Sequence, residues 1–229
     1  CYNNSDLCFK VSNSVPITYS AAMKSENADL WKAAMDSEMT SLINNDTFTV
    51  TTLPAGKKAI GSRWVYSIKN DPTGNVLHKA RFVAKGYSQV HGSNYFDTFS
   101  PTAKITTVRV LMQLSAEFNL SIHQLDVKTA YLNAPIDCDV FILQPQGYEE
   151  GGNSELVWKL NKSLYGLKQS GRNWNIVLSE FFQQNGFQQS KVDVCLYYKC
   201  CDSLKVFVLI WLDVVAANSE KLTEDTKVM

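Results

Sequence analysis

At 229 residues, with 45% apolar against 19% charged residues, the chain has an ordinary globular composition and can bury a core, as one large domain or two small ones; this excludes a disordered tail. Its formal net charge is zero, which argues neither for nor against a nucleic-acid partner. The charges are unevenly spread: six acids and three lysines in the first 56 residues give way, between Lys57 and Lys85, to seven basic residues and one acid. Such a basic segment is either a phosphate-facing surface or a solvated hairpin with one charged face. The six cysteines (1, 8, 138, 195, 200 and 201) show no paired zinc spacing, and no histidine follows the last three, so they read as ordinary thiols. No signal-peptide pattern is read and disulfides are not expected. The longest apolar run, 206–212, is too short to span a bilayer.

Residues 1–26 read as a lead-in. Asn27-Ala28-Asp29 offers capping residues for a helix to about Asn44, with Trp31, Met35, Met39 and Leu42 on one face. A strand over 47–53 ends at Pro54-Ala55-Gly56. Strands over 60–70 and 76–85 then form a hairpin about Asp71-Pro72-Thr73-Gly74-Asn75, where Lys79, Arg81 and Lys85 share parity. A loop to Pro101 precedes a helix over 105–119. Strands follow over 140–143 and 156–160, then a helix from Ser170 to Asn185 striped by Trp174, Val177, Leu178, Phe181 and Phe182, with Asn185-Gly186 as its C-cap. The stretches 194–198 and 204–212 read as a hairpin.

Two acids stand out. Asp126 lies near the end of a short run, with Ile122, Leu125 and Val127, that reads as a buried strand. Alone it reads as a turn or cap residue. Asp213 ends the second apolar run, however, and two carboxylates on the ends of adjacent strands are what a pair of hard divalent ions needs.

The run Leu125-Asp126-Val127-Lys128-Thr129-Ala130-Tyr131-Leu132-Asn133 resembles the first metal-binding motif of copia-type LTR retrotransposon reverse transcriptases. Further blocks follow in that family's order: His78-Lys79-Ala80-Arg81-Phe82-Val83-Ala84-Lys85-Gly86, Phe96-Asp97-Thr98-Phe99-Ser100-Pro101 and Ser163-Leu164-Tyr165-Gly166-Leu167-Lys168-Gln169. The resemblance runs from about Trp31 to Asn218. It implies an α+β fold of fingers and palm, the palm an antiparallel sheet backed by helices. A fingers-like region with the basic hairpin would cover 27–120 and a palm-like region 121–229. The thumb is absent on this reading, so the chain, which opens on Cys1, is expected to be a fragment.

The implied activity is RNA-directed DNA polymerisation by two-ion nucleotidyl transfer, with Mg²⁺, or Mn²⁺ as the alternative, held by Asp126 and Asp213. Lys79, Arg81, Tyr131 and Gln169 would meet the incoming nucleotide; Lys85, Lys58 and Arg63 would meet nucleic acid. From the sequence alone, a Tyr131 packed in the core is an equal reading. The aromatics of the Tyr95–Pro101 block are expected to pack fingers onto palm. Implied partners are an RNA or DNA template-primer, deoxynucleoside triphosphates and other modules of a Pol polyprotein, with no membrane. The implied setting is intracellular, a cytoplasmic particle or the nucleus. One departure bears on activity: the family pattern has two adjacent aspartates where this chain has Asp213-Val214. Val214 cannot ligate a metal, and Ala216-Ala217-Asn218-Ser219 is a weaker returning strand than the family's usual apolar run. The expectation is an impaired polymerase; the alternative is a non-catalytic nucleic-acid-binding or structural remnant, with a metal-dependent nuclease ranked below both.

Overall fold

The computed structural model describes residues 15–70, 73–150, 155–201, 204–211 and 214–217. Helix α1 (Tyr19–Met23) is capped by Thr18, whose hydroxyl accepts the Ala21 N–H at 3.2 Å. Helix α2 (Ala28–Asn44) forms where the spacing predicts it, burying Trp31, Met35, Met39 and Leu42, while Lys32 and Asp36 pair at 3.0 Å on its outer side. Asn27 takes the N-cap position without a side-chain capping bond; the acid of the first turn is Asp29.

Strands β2 (Ser62–Asn70) and β3 (Val76–Ala84) pair antiparallel from Ser62↔Ala84 to Asn70↔Val76. Even-numbered Trp64, Tyr66, Ala80, Phe82 and Ala84 are buried, which puts Arg63, Val65, Ser67, Lys79 and Arg81 on the other face. The outer edge of β3 is not left open: the Phe82 N–H donates to Glu38 Oε1 at 3.2 Å and the Ala84 N–H to the Tyr165 carbonyl at 2.9 Å. Gly74 supplies the positive φ (+89°) of the turn; Asp71 and Pro72 lie outside the described residues.

A second sheet has the order β1-β6-β5, from β1 (Phe48–Thr52), β6 (Leu156–Leu160) and β5 (Phe141–Leu143). Phe48 stacks on Trp158 at 3.5 Å between ring centres, and Trp158 meets Phe82 edge-on at 5.2 Å. One core thus joins α2, the hairpin and this sheet with Leu132, Leu164 and Leu167. Residues after 120 thus share this core with residues before it.

The third sheet has five strands in the order β4-β10-β9-β8-β7: β4 (His123–Asp126), β7 (Gln188–Gln189), β8 (Leu196–Cys201), β9 (Leu204–Trp211) and β10 (Val214–Ala217). Helix α4 (Ser170–Gln184) buries Trp174, Leu178 and Phe182 in a second core with Phe187, Tyr197 and Val208, and α3 (Ile105–Glu117) reaches it through Val108 and Leu111. Helices and antiparallel sheets of this kind make the fold α+β.

Two expectations fail here, the second in part. No residue of β4 is buried, and Ile122 is 50% exposed, because β4 is the edge of its sheet and has one neighbour. Of the aromatics in the Tyr95–Pro101 block, Phe96 and Phe99 are 54% and 77% exposed, while Tyr95 is half-buried with the Lys168 ammonium 4.6 Å from its ring centre. After Asp213, β10 lies between β9 and β4 and pairs with both, while Asn218 and Ser219 of the expected weak return lie outside the described residues.

Candidate functional site

Asp126 is the last residue of β4, exposed, and stands directly opposite Val214 of β10. Val214 also closes onto Trp211 of β9. Asp213, one residue before Val214 in the chain, lies outside the described residues. Among those residues no group of three or more histidines, cysteines or acids is gathered where it could hold a metal ion.

The backbone after Asp126 turns sharply. Thr129 adopts a left-handed conformation (φ 53°), uncommon for a β-branched residue, and opens the short turn Ala130–Asn133. The turn buries Ala130 and Leu132 and leaves Tyr131 half-buried between them. On one side Tyr131 lines a small open cleft with Pro101, Gly171, Trp174 and Ile210. On its other side it meets Tyr165, ring centres 4.7 Å apart.

Tyr165 in turn carries Arg81, whose guanidinium carbon lies 4.6 Å from the ring centre. The loop bearing Tyr165 lies close against the end of β3. Gly166 has φ +90°, and a Cβ there would run into the Ala84 carbonyl; a Cβ on Gly86 would run into the carbonyl of Gly166. Lys79 shares the outer face of β3 with Arg81. Burial, followed by the nearby charges of Arg81 and Lys69, pulls its ammonium below the ordinary lysine range, and Glu38 and Asp126 oppose this. The cations therefore outweigh the acids around Lys79, and an anion arriving there would be favoured.

Arg81, Tyr165 and Tyr131 thus follow one another in contact, with Lys79 beside Arg81 on the hairpin face; of these, Tyr131 lines the cleft. Arg63 is exposed on the same hairpin face, paired across from Val83. Lys58 is exposed in the loop before β2. Lys85 falls outside the expected parity, because β3 ends at Ala84 and Lys85 leads into a 3₁₀ turn with its N–H on the Gly61 carbonyl at 2.8 Å. Gln169 is not at the cleft surface. It is fully buried, its carbonyl accepting from Gln89 Nε2 at 2.9 Å and its own amide donating to the Asn94 carbonyl at 2.8 Å. Its side chain braces the loop, whereas the resemblance sets it toward an incoming nucleotide. Sequence reading gave no role to Tyr165 or Glu38, because nothing local distinguishes a tyrosine on a cleft wall or a glutamate covering a strand edge from ordinary packing.

Residues 45–229 match the model of the reverse transcriptase (RNA-dependent DNA polymerase) family, and the chain belongs to that family. It is 37% identical over 182 residues to the retrovirus-related Pol polyprotein from transposon TNT 1-94 of Nicotiana tabacum, covering 79% of this chain and 14% of that protein. It is 34% identical to the Pol polyprotein from transposon RE1 of Arabidopsis thaliana, covering 94% of this chain and 15% of that protein. A Ty1-ER2 Gag-Pol polyprotein of Saccharomyces cerevisiae is 32% identical, over 76% of this chain and 9% of its own length. The copia-type resemblance read from the motifs is borne out, and the chain spans about a seventh of the plant polyproteins it matches.

Proposed function

We propose that this chain is the polymerase core of a retrotransposon Pol polyprotein, built to extend a primer on an RNA or DNA template with deoxynucleoside triphosphates, in a copy whose turnover is impaired at Val214. The observation that carries this reading is the register of β10, which sets Val214 directly across from Asp126. Residues directly opposite in an antiparallel pair have Cα atoms about 4.5–5.5 Å apart, so an acid at 214 would stand beside the first carboxylate.

The donor set fits one hard cation and not two. Asp126 and Asp213 offer two carboxylates for Mg²⁺ or Mn²⁺, and position 214 offers none. A bound ion would neutralise phosphate charge and activate the primer hydroxyl. The chain's own residues do the rest. Lys79 and Arg81 hold the triphosphate, Arg81 as a planar fork and Lys79 as a point charge. Tyr131 lies under the sugar, where its ring would clash with a 2′-hydroxyl. Arg63, Lys58 and Lys85 meet template backbone. The layout is fingers for the hairpin region and palm for the five-stranded sheet.

The partners on this reading are template-primer, nucleotides and the remaining modules of the polyprotein, inside the cell. No helix among the described residues is long and apolar enough to cross a membrane. The second reading, a binding remnant without turnover, rests on the same Val214.

The test is cation-dependent primer extension on an RNA template by the parent polyprotein, as it stands and with Val214→Asp. Loss of one electrostatic element of a site costs about 10²–10³ in rate, so the Asp variant should extend at least about a hundredfold faster. Equal extension by both would sink the account of Val214. Binding of primer–template by both, with extension by neither, would favour the remnant.

A further inference from the structure

We propose that Tyr165, and not Gln169, is the residue through which the loop 163–169 meets the nucleotide: its ring is a shared wall that aims Arg81 at the phosphates and holds Tyr131 against the sugar. The inference deepens the nucleotide-site reading above and rests on it. The Tyr165 ring touches both groups, with Arg81 at 4.6 Å and Tyr131 at 4.7 Å, tilted by 59°. Arg81 comes from the basic hairpin and Tyr131 from the turn after Asp126, so Tyr165 fixes the spacing between two otherwise independent elements.

Its own placement is set by backbone. The Tyr165 carbonyl accepts the Ala84 N–H at 2.9 Å, and Gly166, at φ +90°, leaves no room for a side chain against β3. The backbone that carries the ring is therefore tied to the edge of the strand that carries Arg81, and the ring's contacts with Arg81 and Tyr131 set its own direction. Tyr165 is half-buried, as a wall facing a ligand must be, whereas Gln169 is fully buried with its amide already bonded on both atoms. A planar ring behind a guanidinium holds the fork in one plane and leaves its N–H donors free to turn to phosphate oxygens. Tyr165 is on this account a positioning and specificity-determining residue.

The test reads nucleotide binding rather than turnover. Parent polyprotein carrying Val214→Asp is mixed with an RNA template and a dideoxy-terminated primer. The dTTP or UTP concentration that half-protects the complex from heparin is then measured. Tyr165→Leu should raise the dTTP requirement about tenfold and narrow the gap between dTTP and UTP, while Tyr165→Phe, which keeps the ring, should stay within about twofold of the parent. Tyr165→Met serves if the Leu protein does not fold, judged by its melting curve. If both non-aromatic variants keep the parent's dTTP requirement and dTTP–UTP gap while Arg81→Ala raises the requirement, Tyr165 only packs and the proposal is overturned. If Arg81→Ala and Tyr131→Ala also change nothing, or no nucleotide-dependent complex forms, the nucleotide-site reading itself falls and takes the proposal with it.

Discussion

Val214 stands directly across from Asp126 in the ladder between β10 and β4, and β10 is held on its other side by β9. The valine is thus fixed by hydrogen bonding on both flanks, in a strand inside the sheet rather than on a loose turn. Asp126, by contrast, ends an exposed edge strand and has the freedom an ion or ligand would demand. A substitution at 214 therefore changes the charge opposite Asp126 without giving the backbone an easy way to move aside. That is why Val214→Asp should act on chemistry far more than on folding.

Gly166 and Gly86 pack backbone to backbone beside the end of β3. A Cβ at Gly166 would collide with the Ala84 carbonyl and come within 2.6 Å of Val83 Cγ1, at a φ of +90° that L side chains avoid. Gly166→Ala should cost at least about 2 kcal/mol, combining left-handed strain with overpacking. Urea denaturation checks this; an unchanged midpoint would mean the loop is not seated on the strand. The basic face should suffer as well, since the same contact places Tyr165 behind Arg81.

Much of the fold could be read along the chain, because helices such as α2 and α4 display their apolar stripes at helical spacing and the basic hairpin advertises its turn. The first acid of the site was legible for the same reason, ending an apolar run. What escaped was set by pairing between distant segments. β4 looks like a core strand from Leu125 and Val127, and only its position at the sheet edge exposes it. Gln169 sits in a motif that invites a ligand role, yet Gln89, eighty residues earlier, takes its carbonyl. Tyr165 drew no attention because its two partners, Arg81 and Tyr131, are brought together by tertiary packing alone.

Gln169 anchors a buried amide network, receiving Gln89 Nε2 and donating to the Asn94 carbonyl, with Cys138 Sγ at 3.5 Å. Gln89 Oε1 also accepts the Lys168 N–H at 2.8 Å, which ties the start of α4 to the loop before it. Gln169→Ala should leave buried partners unsatisfied and lower stability by about 1–3 kcal/mol, measured by chemical denaturation. A Gln169→Ala protein of parental stability whose nucleotide requirement alone has risen would favour the direct contact that the resemblance implies.

Glu38 covers the edge of β3 from α2, accepting the Phe82 N–H at 3.2 Å. Burial pushes its carboxyl above the ordinary glutamate range, opposed by that hydrogen bond and by the charges of Arg81 and Lys79. A carboxyl that holds its proton more tightly folded than unfolded stabilises the fold most below its unfolded pKa, and that contribution is lost as pH rises through the raised value. Glu38→Gln keeps an acceptor for Phe82 and cannot ionise. Its stability relative to the parent should therefore climb as pH rises from the unfolded glutamate value through the raised folded one, as followed by urea midpoints. A difference that stays flat across that range would show the carboxylate to be adequately paired by the hairpin cations.

Asp193 runs the opposite way. It is 4% exposed and reaches across to the first turn of α3, where Lys104, the N-cap, makes no side-chain capping bond of its own. Its Oδ2 accepts the Lys104 N–H at 3.0 Å and the Thr107 hydroxyl at 2.6 Å, and its Oδ1 accepts the Cys195 N–H at 3.0 Å. Burial alone would push this carboxyl up, but these hydrogen bonds, helped by the Lys104 charge, outweigh it and hold the carboxyl below the ordinary aspartate range. The stability it contributes is accordingly full above the unfolded pKa and is lost as pH falls through the depressed folded value. Asp193→Ala removes a remote cap and strands two backbone donors, a loss of about 2–4 kcal/mol at neutral pH. The penalty should shrink as the parent's own carboxyl protonates, so parent and variant denaturation curves should converge in acid. Curves that stay a constant distance apart down to acid pH would mean that Asp193 holds α3 by shape rather than by charge.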